Sequence, residues 1–292
     1  VCRRLPQIPR AQIVAEPASR NTAPTLGVAA HEILRRDPQG LMVVLPADHT
    51  ITKPAEFLRV LRAGCKTAEK EGRSVVIGLK PTRPDTGFGY VRVGALEARI
   101  AGQEIYRVEK FTEKPPLTVA RRYVASGRYL WNGGMFIWRA STLLENFAMY
   151  QPWMANQLAM LASAGGVRSK KLFRRLFPQF EKISIDYAIM EKIPDIHAVA
   201  ADIGWNDVGS WAVVYDLSAK DKEANVRPEC SLCLDSRGNI IVAKRSFVVT
   251  VGVQDLVIVE TDGALLVCAR ERSQEVGKAV QALEKAGLKE LL

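Results

Sequence analysis

Long apolar runs are missing from this sequence, and so is a dense set of cysteines. The longest apolar stretch is only about half the ~20 residues that a membrane-spanning helix needs, so we expect no membrane span. The start, Val1–Arg4, carries charge with no apolar segment behind it, so we expect no secretory signal there. The cysteines are odd in number and follow no dense framework, which is typical of the reducing cytoplasm; they are Cys2, Cys65, Cys230, Cys233 and Cys268.

Motifs for metals and for phosphate loops are scarce as well. Cys230 and Cys233 form a lone C-x-x-C, but no second pair and no nearby histidine completes a zinc site, so we interpret them as loop cysteines. Neither the Walker pattern nor G-x-G-x-x-G occurs. The sequence therefore lacks a recognisable glycine-rich phosphate loop.

Acidic residues are outnumbered by basic ones, 31 to 41, which gives a net charge of +10. This excess indicates anionic partners. The basic residues are scattered and no nucleic-acid-binding motif accompanies them, so we expect no nucleic-acid partner. Phosphorylated small molecules also explain the charge, and they need a smaller basic surface than a nucleic acid does. The alternative is a basic surface kept for solubility.

What the sequence does contain is an alternation of apolar runs and helical patterns through its first two-thirds. This alternation predicts an α/β fold with a mostly parallel sheet. The predicted strands are Gln12–Ala15, Leu41–Leu45, Ser74–Leu79, Tyr90–Val93, Glu104–Phe111 and Trp131–Trp138. Helices are predicted from Asn21–Thr22 to Arg36, over Pro54–Glu71, and within Ser141–Met190, and Lys80–Gly89 is predicted as a long functional loop.

After Trp211 the pattern changes to short strands about nine residues apart, with no helices between them. They are Asn239–Ala243, Phe247–Val251, Leu256–Val259 and Ala264–Cys268, and an amphipathic helix, Ser273–Leu292, follows. Such spacing fits a small parallel β-helix or a compact sheet. We therefore predict two domains, 1–222 and 223–292.

Two acids stand in settings that suit chemistry. Asp48 follows the apolar run Leu41–Leu45, which predicts a buried parallel strand ending in a carboxylate. Asp207 lies between Trp205 and Trp211 in a segment with two glycines. Two acids that meet across a cleft suit Mg²⁺, which takes one or two carboxylates, waters and phosphate oxygens. The alternative is that each acid only caps a turn or a helix.

Seven segments, in order, resemble bacterial mannose-1-phosphate guanylyltransferase, also called GDP-mannose pyrophosphorylase. The resemblance covers nearly the whole chain, including the strand repeats. The segments are Glu16–Pro24, Leu45–His49, Gly78–Tyr90, Phe111–Pro115, Trp131–Phe136, Ser184–Tyr187 and Gly204–Trp211.

The resemblance implies a Rossmann-like nucleotide-diphospho-sugar transferase sheet, followed by a small parallel, left-handed β-helix. It also implies a cytoplasmic enzyme that uses Mg²⁺ to make GDP-mannose and pyrophosphate from GTP and mannose 1-phosphate, and a homodimer is compatible with it. Asp48 and Asp207 would hold Mg²⁺, with Lys114 on the sugar phosphate. The substrate-binding residues would be Glu113, Asn132, Gly89 and Tyr90 at the hexose and Glu16, Asn21 and Thr22 near guanine.

One departure from the family concerns the start of the chain. The family begins with a strand and a glycine-rich loop that cradles the triphosphate, and this sequence starts after that region, so we expect impaired activity and a sheet with an unfilled central position. Another hexose-1-phosphate nucleotidyltransferase and a non-catalytic sugar-nucleotide-binding relative are the alternatives. No isomerase domain follows the strand repeats, from which we expect a single function.

Overall fold

The computed structural model describes residues 5–70 and 72–291, without the side chain of Lys289. Cys2 and the segment Val1–Arg4 lie outside the described residues. By their contacts the described residues form two units, one up to Ala47 together with Ile51–Trp205, the other Asp48–Thr50 together with Asn206–Leu292.

The first unit is built on a six-stranded mixed sheet. Its strands are β1 (Leu41–Val44), β3 (Ser74–Leu79), β4 (Gly89–Ile100), β5 (Gln103–Thr112), β6 (Tyr129–Arg139) and β7 (Ile196–Ala201). They lie side by side in the order β1-β6-β3-β7-β5-β4. Among the described residues, β3 and β7 are the only neighbours of this sheet that pair in parallel; its other ladders are antiparallel. The α/β class is confirmed, but the prediction of a mostly parallel sheet is wrong, because β4 and β5 form a hairpin and β6 runs against three neighbours.

Strand β1 differs most from its prediction. It pairs antiparallel with β6, from Leu41 opposite Arg139 to Val44 opposite Phe136, and it is only partly buried. Among the described residues it pairs with no second strand of the sheet, so it lies at the edge. The predicted unfilled central position is not found among the described strands of this sheet, since each of them pairs with its neighbour from β1 to β4.

Helices cover both faces of this sheet. They are α1 (Thr22–Leu34), α2 (Pro54–Ala68), α3 (Leu117–Ser126), α4 (Ala140–Tyr150), α5 (Pro152–Ser163) and α6 (Lys170–Leu176). One apolar cluster joins α1, α4, α5 and α6 to one face, and a second joins α2 and α3 to the other. The predicted strand Gln12–Ala15 is wrong: a 3₁₀ turn, Arg10–Gln12, leads into irregular chain whose Val14 is exposed.

Strand β6 supplies both cores because its side chains alternate. Phe136 and Trp138 enter the first cluster, whereas Trp131, Met135 and Ile137 enter the second. Successive strand residues point to opposite faces, so one strand buries aromatic and aliphatic groups on each side of the sheet. The consequence is a strand packed on both sides, and this strand carries Asn132 and the two glycines that follow it.

The second unit contains a short coil of parallel strands. Its strands are β9 (Ser231–Leu234), β10 (Ile240–Val242), β11 (Val248–Val251), β12 (Leu256–Glu260) and β13 (Leu265–Ala269), and its helices are α7 (Trp211–Leu217) and α8 (Val276–Lys285). Ile240 pairs with Val257 and Ser231 with Val248, so the chain returns beside itself after 17 residues. The predicted spacing of about nine residues is about half of one such 17-residue turn of the coil. The last strand, β13, pairs antiparallel with β12 and closes the stack.

Buried amides hold the coil together at one corner. Asn239 donates from its backbone and side chain to Asn225 Oδ1, at 3.0 and 3.1 Å. Its own Oδ1 accepts from the Leu256 N–H at 2.9 Å. Because both asparagines are buried, each satisfies backbone groups that would otherwise be orphaned at the turn. The handedness of the coil stays a prediction.

Two further strands, β2 (Thr50–Ile51) and β8 (Trp205–Asn206), pair with each other. Among the helices that the structure describes, none is both long and apolar enough to cross a membrane.

Candidate functional site

Three strands bring the predicted hexose residues together in the first unit. Gly89 begins β4 and lies opposite Asn132 of β6, while Glu113 directly follows the end of β5. A Cβ atom on Gly89 would lie 2.3 Å from Glu113 Oε2 and 3.1 Å from Asn132 Cβ. A side chain here would displace the Glu113 carboxyl group and crowd Asn132, so glycine keeps the space between these two polar groups open.

Glu113 is the most perturbed acid of this group. Its side chain is only 8% exposed, and its Oε2 atom is buried without a hydrogen-bond partner among the described residues. Burial, reinforced by the nearby charge of Asp186, raises the pKa of Glu113 to about 7. A buried acid with a free oxygen and a pKa near neutrality is a typical feature of a binding site.

Lys114 lies at the exposed side of this acid. Its Nζ atom is 3.6 Å from Glu113 Oε1, and its side chain is 56% exposed. Its backbone adopts a φ of 47°, which an L-residue adopts only at a cost. The preceding N–H, that of Glu113, donates to Glu191 Oε1 at 2.8 Å and so helps to hold this turn. The lysine is thereby presented toward solvent, beside a buried carboxyl group.

Asp186 belongs to the same group, although it was not among the predicted site residues. Asn132 Nδ2 donates to Asp186 Oδ1 at 2.8 Å, and Asn132 Oδ1 accepts from the Gly134 N–H at 2.9 Å. Burial raises the pKa of Asp186, and the hydrogen bond from Asn132 opposes that rise. Asp186 also opens a π-helical turn, Asp186–Met190, a rare conformation that is frequent at functional sites. The available signal was the segment Ser184–Tyr187, which the resemblance had singled out.

Tyr90 is placed differently from its neighbour Gly89. Its side chain is buried in the second apolar cluster, and its hydroxyl donates to the Asp85 carbonyl oxygen at 2.9 Å. Because adjacent strand residues face opposite sides, only the backbone of Tyr90 is available on the face of Glu113. A hexose contact by Tyr90, if made, uses that backbone.

The loop between β3 and β4 is anchored by its own charged residues. Arg83 Nε donates to Asp85 Oδ2 at 3.0 Å, and the Gly87 N–H donates to Asp85 Oδ1 at 2.8 Å. The guanidinium also lies 5.3 Å from the centre of the Trp131 ring. Asp85 thus closes the loop, and Arg83 packs against the ring of Trp131.

The predicted guanine residues lie at the start of α1. Asn21 Oδ1 accepts from the Thr22 N–H at 2.8 Å, and Thr22 Oγ1 accepts from the Ile185 N–H at 2.8 Å. Glu16 accepts from the hydroxyl of Thr25 at 2.5 Å. The N-terminus of α1 thus borders the segment that carries Asp186, so Thr22 is near the hexose group. Contact with guanine stays a prediction.

The two predicted metal ligands lie in the second unit, around one histidine. His49 Nε2 is 3.8 Å from Asp48 Oδ1. Burial lowers the pKa of His49, while the charges of Asp48 and Asp207 both raise it, so both acids are close enough to act on the same ring. Asp207 is also close to Gly209, where a Cβ atom would lie 2.4 Å from Asp207 Oδ2. The helix α7 is capped by Ser210, not by Asp207.

These acids fit Mg²⁺ by the chemistry of their donors. Mg²⁺ prefers oxygen ligands and keeps several waters, and Asp48 is 86% exposed, which leaves its oxygens open to waters and phosphates. Groups of three or more potential ligands are absent from the described residues, so a dedicated all-protein cage is not built here. The described cysteines Cys230 and Cys233 are free, and Cys233 lies on β9 instead of in a loop.

Comparisons with known proteins agree with this geometry. The family model for nucleotidyl transferases matches residues 3–224, and a model described as a MannoseP isomerase/GMP-like beta-helix domain matches residues 231–283. Since the first match covers most of the chain, the family assignment does not depend on any one motif.

Individual relatives point the same way. The xanthan biosynthesis protein XanB of Xanthomonas campestris pv. campestris (strain B100) is 41% identical over 95% of this chain. A mannose-1-phosphate guanylyltransferase of Escherichia coli (strain K12) is 38% identical over 94% of it. The chain spans 58% of the length of each of these relatives.

A solved structure extends the likeness to three dimensions. It is described as a mannose-1-phosphate geranyltransferase from Thermus thermophilus, and it superimposes with a TM-score of 0.80 at 32% identity. The match covers 93% of this chain and 77% of that one.

Proposed function

Because this chain belongs to the nucleotidyl transferase family, we propose that it is part of a mannose-1-phosphate guanylyltransferase. The reaction would join GTP and mannose 1-phosphate into GDP-mannose and release pyrophosphate. The observation that carries the proposal is the buried Glu113 beside Gly89 and Asn132, with Lys114 at its exposed side. Such a site combines acceptors for hydroxyl groups with a cation for a phosphate.

Each side chain has a defined task under this proposal. The free Oε2 atom of Glu113 accepts a hydroxyl hydrogen of the hexose, and Asn132 fixes the neighbouring geometry through its bonds to Asp186 and Gly134. Lys114 neutralises the sugar phosphate. A transfer at phosphorus needs little covalent work from the protein, so positioning and charge neutralisation carry the catalysis.

Asp48 and Asp207 would hold Mg²⁺ against the phosphates. When bound, the ion would neutralise negative charge on the phosphate oxygens. His49, which lies beside both acids, would orient them. We place the reaction in the cytoplasm, since Cys65, Cys230, Cys233 and Cys268 are all free.

Isothermal titration calorimetry with GDP-mannose tests the proposal. We expect binding that Mg²⁺ strengthens, and we expect Asp207→Asn to abolish the effect of the metal. Asp216→Asn, which changes an exposed acid of the same unit, is the matched control and should behave as the unaltered chain. Failure to bind any sugar nucleotide would contradict the proposal.

A panel of ligands separates the sugar and the base. GDP-mannose, GDP-glucose, UDP-glucose and ADP-glucose differ in one or both groups. We expect GDP-mannose to bind most tightly, since a polar site left unpaired by the wrong group loses affinity strongly. Tighter binding of UDP-glucose would assign the chain to a different hexose-1-phosphate nucleotidyltransferase.

A homodimer is the proposed assembly. In the second unit, β9 and β11 expose Leu232 and Leu234 beside Val249 and Val251, which makes an apolar patch on a two-stranded sheet. Contiguous apolar surface of this kind is typical of an interaction site. Light scattering of the chain and of Leu234→Glu checks this: the first should be dimeric and the second monomeric.

A further inference from the structure

Two carboxyl groups flank a single amide in the first unit. Asn132 Nδ2 donates to Asp186 Oδ1 at 2.8 Å, and the same amide also interacts with Glu113. Both acids are sheltered from water, and Oε2 of Glu113 has no hydrogen-bond partner among the described residues. Two acids so arranged cannot both ionise without cost, because each charge is unfavourable to the other.

The charged groups around Glu113 are unequal. Lys114 lies 3.6 Å from Oε1 but is more than half exposed, so water weakens its field. Glu191 is a third acid, and its carboxylate accepts the Glu113 N–H. Asn132 of β6 and Gly89 of β4 are uncharged. The charge of Asp186 and the charge of the partly solvated Lys114 therefore oppose each other at Glu113. Burial raises the pKa of both Glu113 and Asp186, and the charge of Asp186 adds to the rise at Glu113.

We propose that Asp186 is a positioning residue that keeps a proton on Glu113 in the ligand-free protein, and that binding of a sugar nucleotide releases this proton. The inference rests on the proposed function for the identity of the ligand. It assigns to Asp186 a role through Glu113, with no contact to the substrate required.

The proton balance follows from the Oε2 atom of Glu113, which has no hydrogen-bond partner among the described residues. In the empty site, the protonated Glu113 is neutral and tolerates burial. A hexose hydroxyl that donates to Oε2 stabilises the carboxylate, so the proton leaves for the solvent as the hydrogen bond forms. No other bond is made or broken. Affinity then increases with pH through the pKa of Glu113 and levels off above it.

The first experiment needs no ligand. Carbon NMR of protein labelled at glutamate carboxyl carbons follows the titration of Glu113, whose signal is identified by its loss in Glu113→Gln. We expect a midpoint near pH 7, and a midpoint about one unit lower in Asp186→Asn. That variant retains an oxygen that can accept from Asn132, so the fold is preserved. Glu181→Gln, an exposed acid on the same segment, is the control and should leave the midpoint unchanged.

The second experiment measures binding. GDP-mannose is titrated at pH 6, 7 and 8 in two buffers of different ionisation enthalpy, because its diphosphate carries no phosphate monoester to titrate near pH 6. We expect proton release below pH 7 and an affinity about tenfold higher at pH 8 than at pH 6. Glu113→Gln should abolish the release, and any exchange left in that variant belongs to other groups.

The outcomes separate the two hypotheses. GDP-mannose that binds equally at pH 6 and pH 8 without proton release overturns the inference and leaves the proposed function standing. A Glu113 midpoint that Asp186→Asn does not move overturns it as well. Failure of GDP-mannose to bind at any pH contradicts the proposed function, and the NMR titration still decides whether Asp186 holds the proton.

Discussion

The two groups of acids in this protein are built in opposite ways. Glu113 and Asp186 are sheltered, share an amide and have raised pKa values. Asp48 is largely exposed, and it acts with Asp207 on a half-buried histidine. A sheltered acid can distinguish hydroxyl groups by hydrogen bonding, whereas an exposed one keeps its charge and its waters for a cation. The difference in environment predicts a difference in role.

The largest expected effect is the pH dependence that the sheltered Glu113 gives to the stability of the protein. The pKa of Glu113 is raised from 4.5 to about 7 in the folded chain, so the folded state binds more protons than the unfolded state between these values. Stability therefore falls as the pH rises from about 4.5 to about 7, by up to about 3 kcal/mol. Glu113→Gln removes this loss, and urea unfolding at pH 5 and pH 8 measures it. Parallel pH profiles for the two proteins would contradict the expected burial of charge.

The second-largest effect concerns the space between Gly89 and the Glu113 side chain. Gly89→Ala places a Cβ atom 2.3 Å from Glu113 Oε2 and forces the acid away. We expect the affinity for GDP-mannose to fall by about 30-fold, or about 2 kcal/mol. Gly277→Ala has open space on α8 and serves as the control. Unchanged affinity in Gly89→Ala would mean that Glu113 does not contact the ligand.

The third effect separates phosphate from hexose. Lys114→Gln removes a cation that is more than half exposed, so we expect about a tenfold loss in affinity for mannose 1-phosphate. The loss should shrink in high salt, since salt screens an exposed charge. Lys192→Gln, also exposed, should have no effect. Calorimetry at two salt concentrations gives the answer, and equal losses in both variants would assign the effect to net charge alone.

The smallest expected effect is on stability, and it concerns the exposed acid Asp48. Asp48→Asn should change the free energy of unfolding by less than about 0.5 kcal/mol, because an exposed acid loses little on neutralisation. The same variant should lose the effect of Mg²⁺ on GDP-mannose binding. Urea unfolding and calorimetry measure the two quantities on one sample. A large loss of stability would show that Asp48 has a structural role.

Much of the fold could be predicted where local signals agree with tertiary context. Strand β3 has the predicted bounds, Ser74–Leu79, because every residue in it is buried and a short apolar run rich in β-branched residues is typical of a buried strand. The strand repeats after residue 238 were also predicted, since polar turns separate them clearly. Strand β9 was missed, because Cys233 and the polar residues before it conceal its pattern.

Other features depend on partners that a single sequence does not reveal. The apolar run Leu41–Val44 is compatible with either strand direction, and only its pairing with β6 makes it antiparallel. The run Gln12–Ala15 has strand propensity but no pairing partner among the described residues, so its backbone stays irregular.

The candidate site likewise combines residues that the sequence predicts with one that it does not. Glu113, Gly89 and Asn132 were predicted together, but Asp186 was not, because its importance arises from a hydrogen bond across 54 residues of sequence.

The π turn at Asp186 has a consequence for how this site tolerates change in length. The Glu191 N–H reaches back five residues to the Asp186 carbonyl oxygen, at 3.0 Å, so the turn contains one residue more than an ordinary helix would. Loss of a single codon there would restore regular helical winding and rotate Asp186 by about 100° about the axis. An in-frame deletion that looks harmless on paper would thus swing the acid away from Asn132.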